Sequence, residues 1–114
     1  MTIQTGEFMG YGIENSLAIE MDTYQNPDNG DPNSNHIGLD YNGTVKSAFT
    51  TSPSAQLDNG LPWYVWVSYA ASGQTLSVWV SNSSAQPAVT TFSSKVDCML
   101  VSLGALVYTT NDNA

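Results

Sequence analysis

Leu17-Ala18-Ile19-Glu20-Met21-Asp22-Thr23-Tyr24-Gln25-Asn26 is the stretch on which the reading of this chain turns. Its side chains alternate: Leu17, Ile19, Met21 and Thr23 point one way, while Ala18, Glu20, Asp22 and Tyr24 point the other. A period of two belongs to an extended strand, whose successive side chains leave opposite faces. One face is apolar. The other carries Glu20, Asp22, Tyr24 and Asn26, four oxygen-bearing groups about 6.6 Å from one to the next. Carboxylates side by side on a strand repel each other unless a cation sits between them.

Working outward, Gln25 to Asn35 is a long polar loop that adds Asp28 and Asp31. Within a compact domain, loops of this length are usually functional or disordered. Ile37-Gly38-Leu39-Asp40-Tyr41 then alternates again, with His36, Gly38 and Asp40 on its polar side. A hard cation such as Ca²⁺ takes six to eight oxygens, and an ion such as Mn²⁺ accepts carboxylates together with an imidazole. The Glu20 to His36 segment holds a supply for both kinds. Strands with a polar solvent face and loops of Asn, Asp, Pro and Gly are common without any metal, so the weight rests on the combination of Glu20, Asp22, Asn26, Asp31 and His36 in one strand-loop-strand unit.

Two other uses of these residues compete with a metal site. An EF-hand fails on spacing, because placing Gly30 sixth puts Gln25 first and His36 twelfth. A retaining glycosidase needs two carboxyl groups about 5 to 5.5 Å apart. Thr23-Tyr24-Gln25-Asn26 supplies no partner for Glu20, and only a distant residue such as Asp58 or Asp97 would.

The rest of the chain is poor in helical periodicity and rich in strand signals. Trp63 to Tyr69 is aromatic and β-branched, Ala71-Ser72-Gly73-Gln74 reads as a turn, and Thr75 to Ser81 returns with Leu76, Val78 and Val80 on one face. Short strands between Gly, Asn, Pro and Ser clusters predict an all-β sandwich. There is no internal repeat and no linker, so residues 1–114 read as one domain.

Lys46 and Lys95 are the only cations against ten carboxylates, a formal charge of −8. That balance argues against nucleic acid, whose binders neutralise phosphates with Lys and Arg, and against an anionic membrane surface. It suits a collector of divalent cations. The single cysteine, Cys98, leaves no intrachain disulfide and reads as a small core residue. No apolar run is long enough to cross a bilayer, and the first residues lack the pattern of a signal peptide. Asn42-Gly43-Thr44 and Asn82-Ser83-Ser84 fit the N-glycosylation pattern.

Leu17 to Asn26, Gly30-Asp31-Pro32 and His36 to Asp40 together resemble the metal-binding core of legume-type (L-type) lectins and their bacterial relatives. Gly6-Glu7-Phe8-Met9-Gly10-Tyr11 is similar to the Gly-rich segment that precedes this strand in the family, and Asn59 through Val78 to its next hairpin. The resemblance covers roughly residues 6 to 92. It implies a concanavalin-like antiparallel jelly-roll sandwich, of which this chain would be an incomplete portion, and a carbohydrate-binding protein with no catalytic role. By that resemblance Glu20, Asp22, Asp31 and His36 would bind a transition ion, Mn²⁺ above all, with Ser47 holding one of its waters. Asp22 and Asp31 would bridge to Ca²⁺, joined by the Asn26 side-chain oxygen and the Tyr24 backbone carbonyl. Asn26, the Tyr24 ring and backbone N–H groups near Gly6 and Glu7 would contact a mono- or oligosaccharide.

The resemblance also implies a secreted or cell-surface location. Members of the family are longer, and the Asp on which their sugar pocket depends would lie upstream of Met1. Lys95 to Ala114 follows the family pattern less well. Trp63, Trp66 and Trp79 place large rings on both sides of the hairpin, which predicts an exposed sheet and, through it, a homo-oligomer, a covering partner segment or poor solubility. Two alternatives stand beside the lectin: a glycoside hydrolase of the same sandwich with Glu20 catalytic, and a structural fragment that binds no sugar.

Overall fold

The computed structural model describes residues 16–44, 46–96 and a strand at 105–110. Seven strands are present among them: β1 (Leu17–Asp22), β2 (His36–Tyr41), β3 (Phe49–Thr51), β4 (Tyr64–Ala70), β5 (Thr75–Ser81), β6 (Phe92–Lys95) and β7 (Ala105–Thr110). They form a four-stranded sheet in the order β3-β2-β1-β7 and a three-stranded sheet in the order β4-β5-β6. The only helical element in the described residues is a 3-10 turn at Pro27–Asn29. No described helix is long and apolar enough to cross a membrane.

β1 and β2 run antiparallel, with Leu17 opposite Tyr41, Ile19 opposite Leu39 and Met21 opposite Ile37. Antiparallel neighbours that face each other share a sheet face, so these apolar residues form one surface. It packs on the inward face of the second sheet, where Leu76, Val78 and Phe92 lie, and Leu57 and Val96 close the core. Phe49 and Phe92 join the sheets with ring centroids 5.2 Å apart. Fully burying one such aliphatic or aromatic side chain stabilises the fold by about 1.5–3 kcal/mol.

The hairpin forms as its sequence predicts, shifted by one residue: β4 starts at Tyr64, and Trp63 precedes it. Trp63 leans on the core and donates its indole N–H to the Leu57 carbonyl at 2.9 Å. After β2, Asn42 and Gly43 both take positive φ (57° and 78°). That is the twist of a two-residue turn that Asn-Gly adopts readily.

The sandwich departs from the antiparallel expectation at one edge. β1 pairs with β7 in parallel, from Leu17 opposite Ala105 to Asp22 opposite Thr110. A parallel neighbour requires a crossover connection rather than a tight turn. Here the connection is the whole of β2 to β6, so the chain leaves the first sheet, builds the second and returns in the same direction.

Ile19 is 1 % exposed and Val89 79 %. Ile19→Ala is therefore expected to cost about 2–5 kcal/mol through lost burial and a residual cavity, while Val89→Ala stays within about 0.5 kcal/mol of the parent. Urea unfolding of the two variants checks both.

Candidate functional site

The second face of the β1–β2 pair holds the chemistry. Register puts Ala18 opposite Asp40, Glu20 opposite Gly38 and Asp22 opposite His36. None of these residues reaches solvent: Glu20 and Asp22 are 2 % exposed, and His36 and Asp40 0 %. Burying a carboxylate is costly unless protons, hydrogen bonds or a cation compensate it. A merely solvated polar face would leave these groups in water.

The loop folds its own carboxylate back onto this face. Asp22 Oδ1 accepts the Tyr24 N–H at 2.7 Å, which ends the strand. Asn26 starts the 3-10 turn, and Gly30 closes it at φ 84°, its N–H donating to the Pro27 carbonyl. Asp31 thereby arrives beside Asn26 and accepts the Asn26 backbone N–H on Oδ2 at 2.7 Å. Gln25 adds a bond from its side-chain amide to the Asp31 carbonyl at 3.2 Å. Each aspartate uses one oxygen to pin the loop and turns the other inward.

Those inward oxygens meet one imidazole. His36 Nε2 lies 3.7 Å from Glu20 Oε2, 3.9 Å from Asp22 Oδ2 and 3.7 Å from Asp31 Oδ1. These distances are too long for hydrogen bonds, and His36 Nε2 has no hydrogen-bond partner despite being buried. The other ring nitrogen, Nδ1, faces the Asn33 carbonyl at 2.9 Å. A proton on Nδ1 leaves the Nε2 lone pair directed at the carboxylates, the usual orientation of a metal-binding histidine. Ligands each about 2.1 Å from a common ion stand up to about 4 Å apart. One ligand atom each from Glu20, Asp22 and His36 lies within 4.8 Å of the others. The donor set fits a divalent ion.

Ser47 and Asp40 extend the cluster. Ser47 Oγ lies 2.6 Å from Asp40 Oδ1 and 3.2 Å from Glu20 Oε2. Asp40 Oδ2 is buried with no partner. Gly38 makes this arrangement possible, because a Cβ there would run into Ser47 Oγ and stand 2.9 Å from Glu20 Oε2.

Burial raises the Asp22 carboxyl to about 6, helped by Glu20 and Asp31 and opposed by its Tyr24 bond and His36. Burial and Glu20 push Asp40 up to about 7 against the Ser47 bond. For His36, burial alone would lower the pKa, but Glu20, the Asn33 carbonyl and Asp22 outweigh it and the net direction is upward.

The sequence profile of the legume lectin domain matches residues 3–109. This chain belongs to the legume lectin family. It is 36 % identical over 83 residues to the L-type lectin-domain containing receptor kinase S.7 of Oryza sativa subsp. japonica, covering 72 % of the chain and 12 % of that protein. It is 36 % identical over 86 residues to the Flt3 receptor-interacting lectin of Lablab purpureus (75 % of the chain, 30 % of that protein). A Lectin of Leucomphalos mildbraedii is 38 % identical over 82 residues (71 % and 33 %). The chain thus spans a third or less of the length of these curated relatives. All three are plant proteins and give no support to a bacterial-type member. Legume lectins are carbohydrate-binding, non-catalytic proteins.

Against that family, the predicted site residues fall into three groups. Glu20, Asp22, Asp31, His36 and Ser47 come together on the buried face. Tyr24, 40 % exposed, and half-buried Asn26 lie at its rim on the loop. Gly6 and Glu7 lie outside the described residues. Asp28 is exposed on the 3-10 turn, away from the buried set. Asp58, a candidate partner for a catalytic Glu20, is exposed on a separate turn, and Asp97 lies outside the described residues. Asp40 was not picked out as a site residue, although its place two residues past Gly38 on the polar side of β2 was the available signal.

Asp22 and Asp40 hold protons more tightly folded than unfolded, so their contribution favours the fold less as pH rises from the ordinary carboxylate range through about 6 and about 7. His36, also raised, loses its contribution as pH passes its folded value. The signs agree: metal-stripped protein is expected to melt at a lower temperature at pH 8 than at pH 5, and Asp40→Asn to flatten that slope. A series of thermal melts across this range checks it. Separately, Gly38→Ala is expected to cost about 1–3 kcal/mol through overpacking against Ser47 and Glu20, read by urea unfolding. Parental stability would mean that these side chains swing clear.

Proposed function

We propose that this chain carries the metal-organised carbohydrate-binding centre of a legume lectin domain. The observation that carries the reading is the unpartnered Nε2 of His36, buried and facing Glu20, Asp22 and Asp31 together. Glu20, Asp22, Asp31 and His36 would hold a transition ion such as Mn²⁺, with Ser47 placed to hold one of its waters. Asp22 and Asp31 would also serve Ca²⁺, together with the Asn26 side-chain oxygen and the Tyr24 carbonyl. Two divalent ions supply the positive charge that four buried carboxyl groups (Glu20, Asp22, Asp31 and Asp40) otherwise lack.

The chain's own residues do the recognition. With its oxygen committed, the Asn26 amide is left to offer its NH₂ in a fixed direction to a sugar hydroxyl. The exposed Tyr24 ring can cover the apolar C–H face of that sugar. Gly6 and Glu7 would add backbone N–H donors. Ions in this role organise a loop and perform no bond-breaking, in keeping with a family of binding proteins. A secreted or cell-surface location accompanies the reading, since the relatives are plant lectins and receptor kinases.

Metal-stripped protein is expected to melt at a higher temperature once Ca²⁺ and Mn²⁺ are added. A hundredfold excess over the dissociation constant corresponds to about 2.7 kcal/mol. Asp22→Ala should abolish the shift, whereas Asn26→Ala should lose ion-dependent retention on immobilised monosaccharides. A cooperatively melting protein with no ion-dependent shift would end this reading.

A further inference from the structure

The outward face of the β4–β5–β6 sheet has a composition unlike the rest of the molecule. Trp66 stands directly opposite Trp79, Tyr64 opposite Ser81 and Ser68 opposite Ser77. Ser77 in turn faces Ser93, with the two hydroxyl oxygens 3.2 Å apart. Tyr64 and Trp66 lie nearly parallel, 26° between planes and 6.2 Å between centroids. The alternate residues of these strands enter the core, and the core residues include none of these three rings. Tyr64 is 40 % exposed, and both tryptophans are half-buried. Among the described residues the face carries no carboxylate, and its only charge is Lys95, opposite Thr75.

An aromatic platform bordered by hydroxyls, in a chain of net charge −8, narrows what can lie on it. Nucleic acid stacks on such rings only where cations neutralise its phosphates, and one lysine does not suffice. A second copy of the chain would need more area. Strands of seven, seven and four residues, at about 3.3 Å per residue and about 4.8 Å between strands, give a flat footprint of roughly 290 Å², less than half of the roughly 800 Å² per partner of a standard interface. A neutral sugar chain needs neither charge nor a large footprint. Its C–H faces cover aromatic rings and its hydroxyls exchange hydrogen bonds with Ser side chains.

We propose that this face is a second, ion-independent binding surface for neutral polysaccharide. Tyr64, Trp66 and Trp79 form its stacking platform, and Ser68, Ser77 and Ser93 its hydrogen-bonding border. Native affinity electrophoresis of the whole chain in EDTA, through gels containing β-glucan, galactomannan or arabinoxylan, tests it. At least one gel is expected to retard the parent protein. Tyr64→Ser and Trp79→Thr are each expected to weaken that retardation about tenfold. Trp66→Phe, which keeps a ring, is expected to preserve most of it and so guards against a folding artefact. Three results overturn the proposal: no retardation on any gel, retardation indifferent to Tyr64→Ser and Trp79→Thr, or a sedimenting dimer that those substitutions dissolve. The last would give the face to a second copy. Because ions are removed throughout, failure here is distinguishable from failure of the ion-dependent site, which is read by melts with added metal.

Discussion

Everything in the first sheet depends on one electrostatic conflict. Glu20, Asp22, Asp31 and Asp40 are buried around His36, and even a protonated imidazole offers one positive charge to four carboxyl groups. Two of those carboxyls are held well above their ordinary range by the burial itself. Such a cluster is either partly protonated or matched by cations. His36 Nε2 and Asp40 Oδ2 are buried without hydrogen-bond partners, a cost that a cation among them would relieve. The start of the loop after β1 takes its shape from this conflict, because the Tyr24 and Asn26 backbone N–H groups both donate to aspartate oxygens.

The period-two pattern separates this chemistry from the packing. Ile19 and Leu39 enter the core while Glu20 and Gly38, their immediate neighbours, form the site on the other side of the same two strands. Shifting the register by one residue would exchange the two faces. It would put carboxylates into the hydrophobic core and aliphatics around the imidazole. The site and the core therefore specify the same register, which is why so short a segment can be definite about both.

Much of this was legible in the residues. Alternation gave β1, β2 and the hairpin to within a residue, and ligand spacing from Glu20 to His36 singled out side chains that the structure does bring together. What was not legible depends on partners remote in sequence. That both faces of β1 are buried follows from what covers the sheet, which alternation cannot reveal. Asp40 looked like one more polar strand residue until register placed it beside Ser47 and opposite Ala18. The parallel pairing of β7 links positions more than eighty residues apart, and no local pattern encodes such a contact.

The two sheet faces turned away from the hydrophobic core represent opposite ways of holding polar groups on a sheet. The β1–β2 face concentrates charge, removes it from water and draws its proposed ion ligands from residues between Glu20 and Ser47. Closing so short a loop costs little chain entropy, and the cost grows only slowly with length. Ion binding to such a unit, as proposed, would be coupled to local order more than to assembly of distant strands. The β4–β5–β6 face carries hydroxyls and a single charge, Lys95, and leaves them accessible, so it needs no ion and little desolvation of charge. A recognition element built on the first depends on the ion supply and on pH through Asp22 and His36. One built on the second depends on neither. On these two proposals, charge placement alone would make the two sheets respond to different conditions.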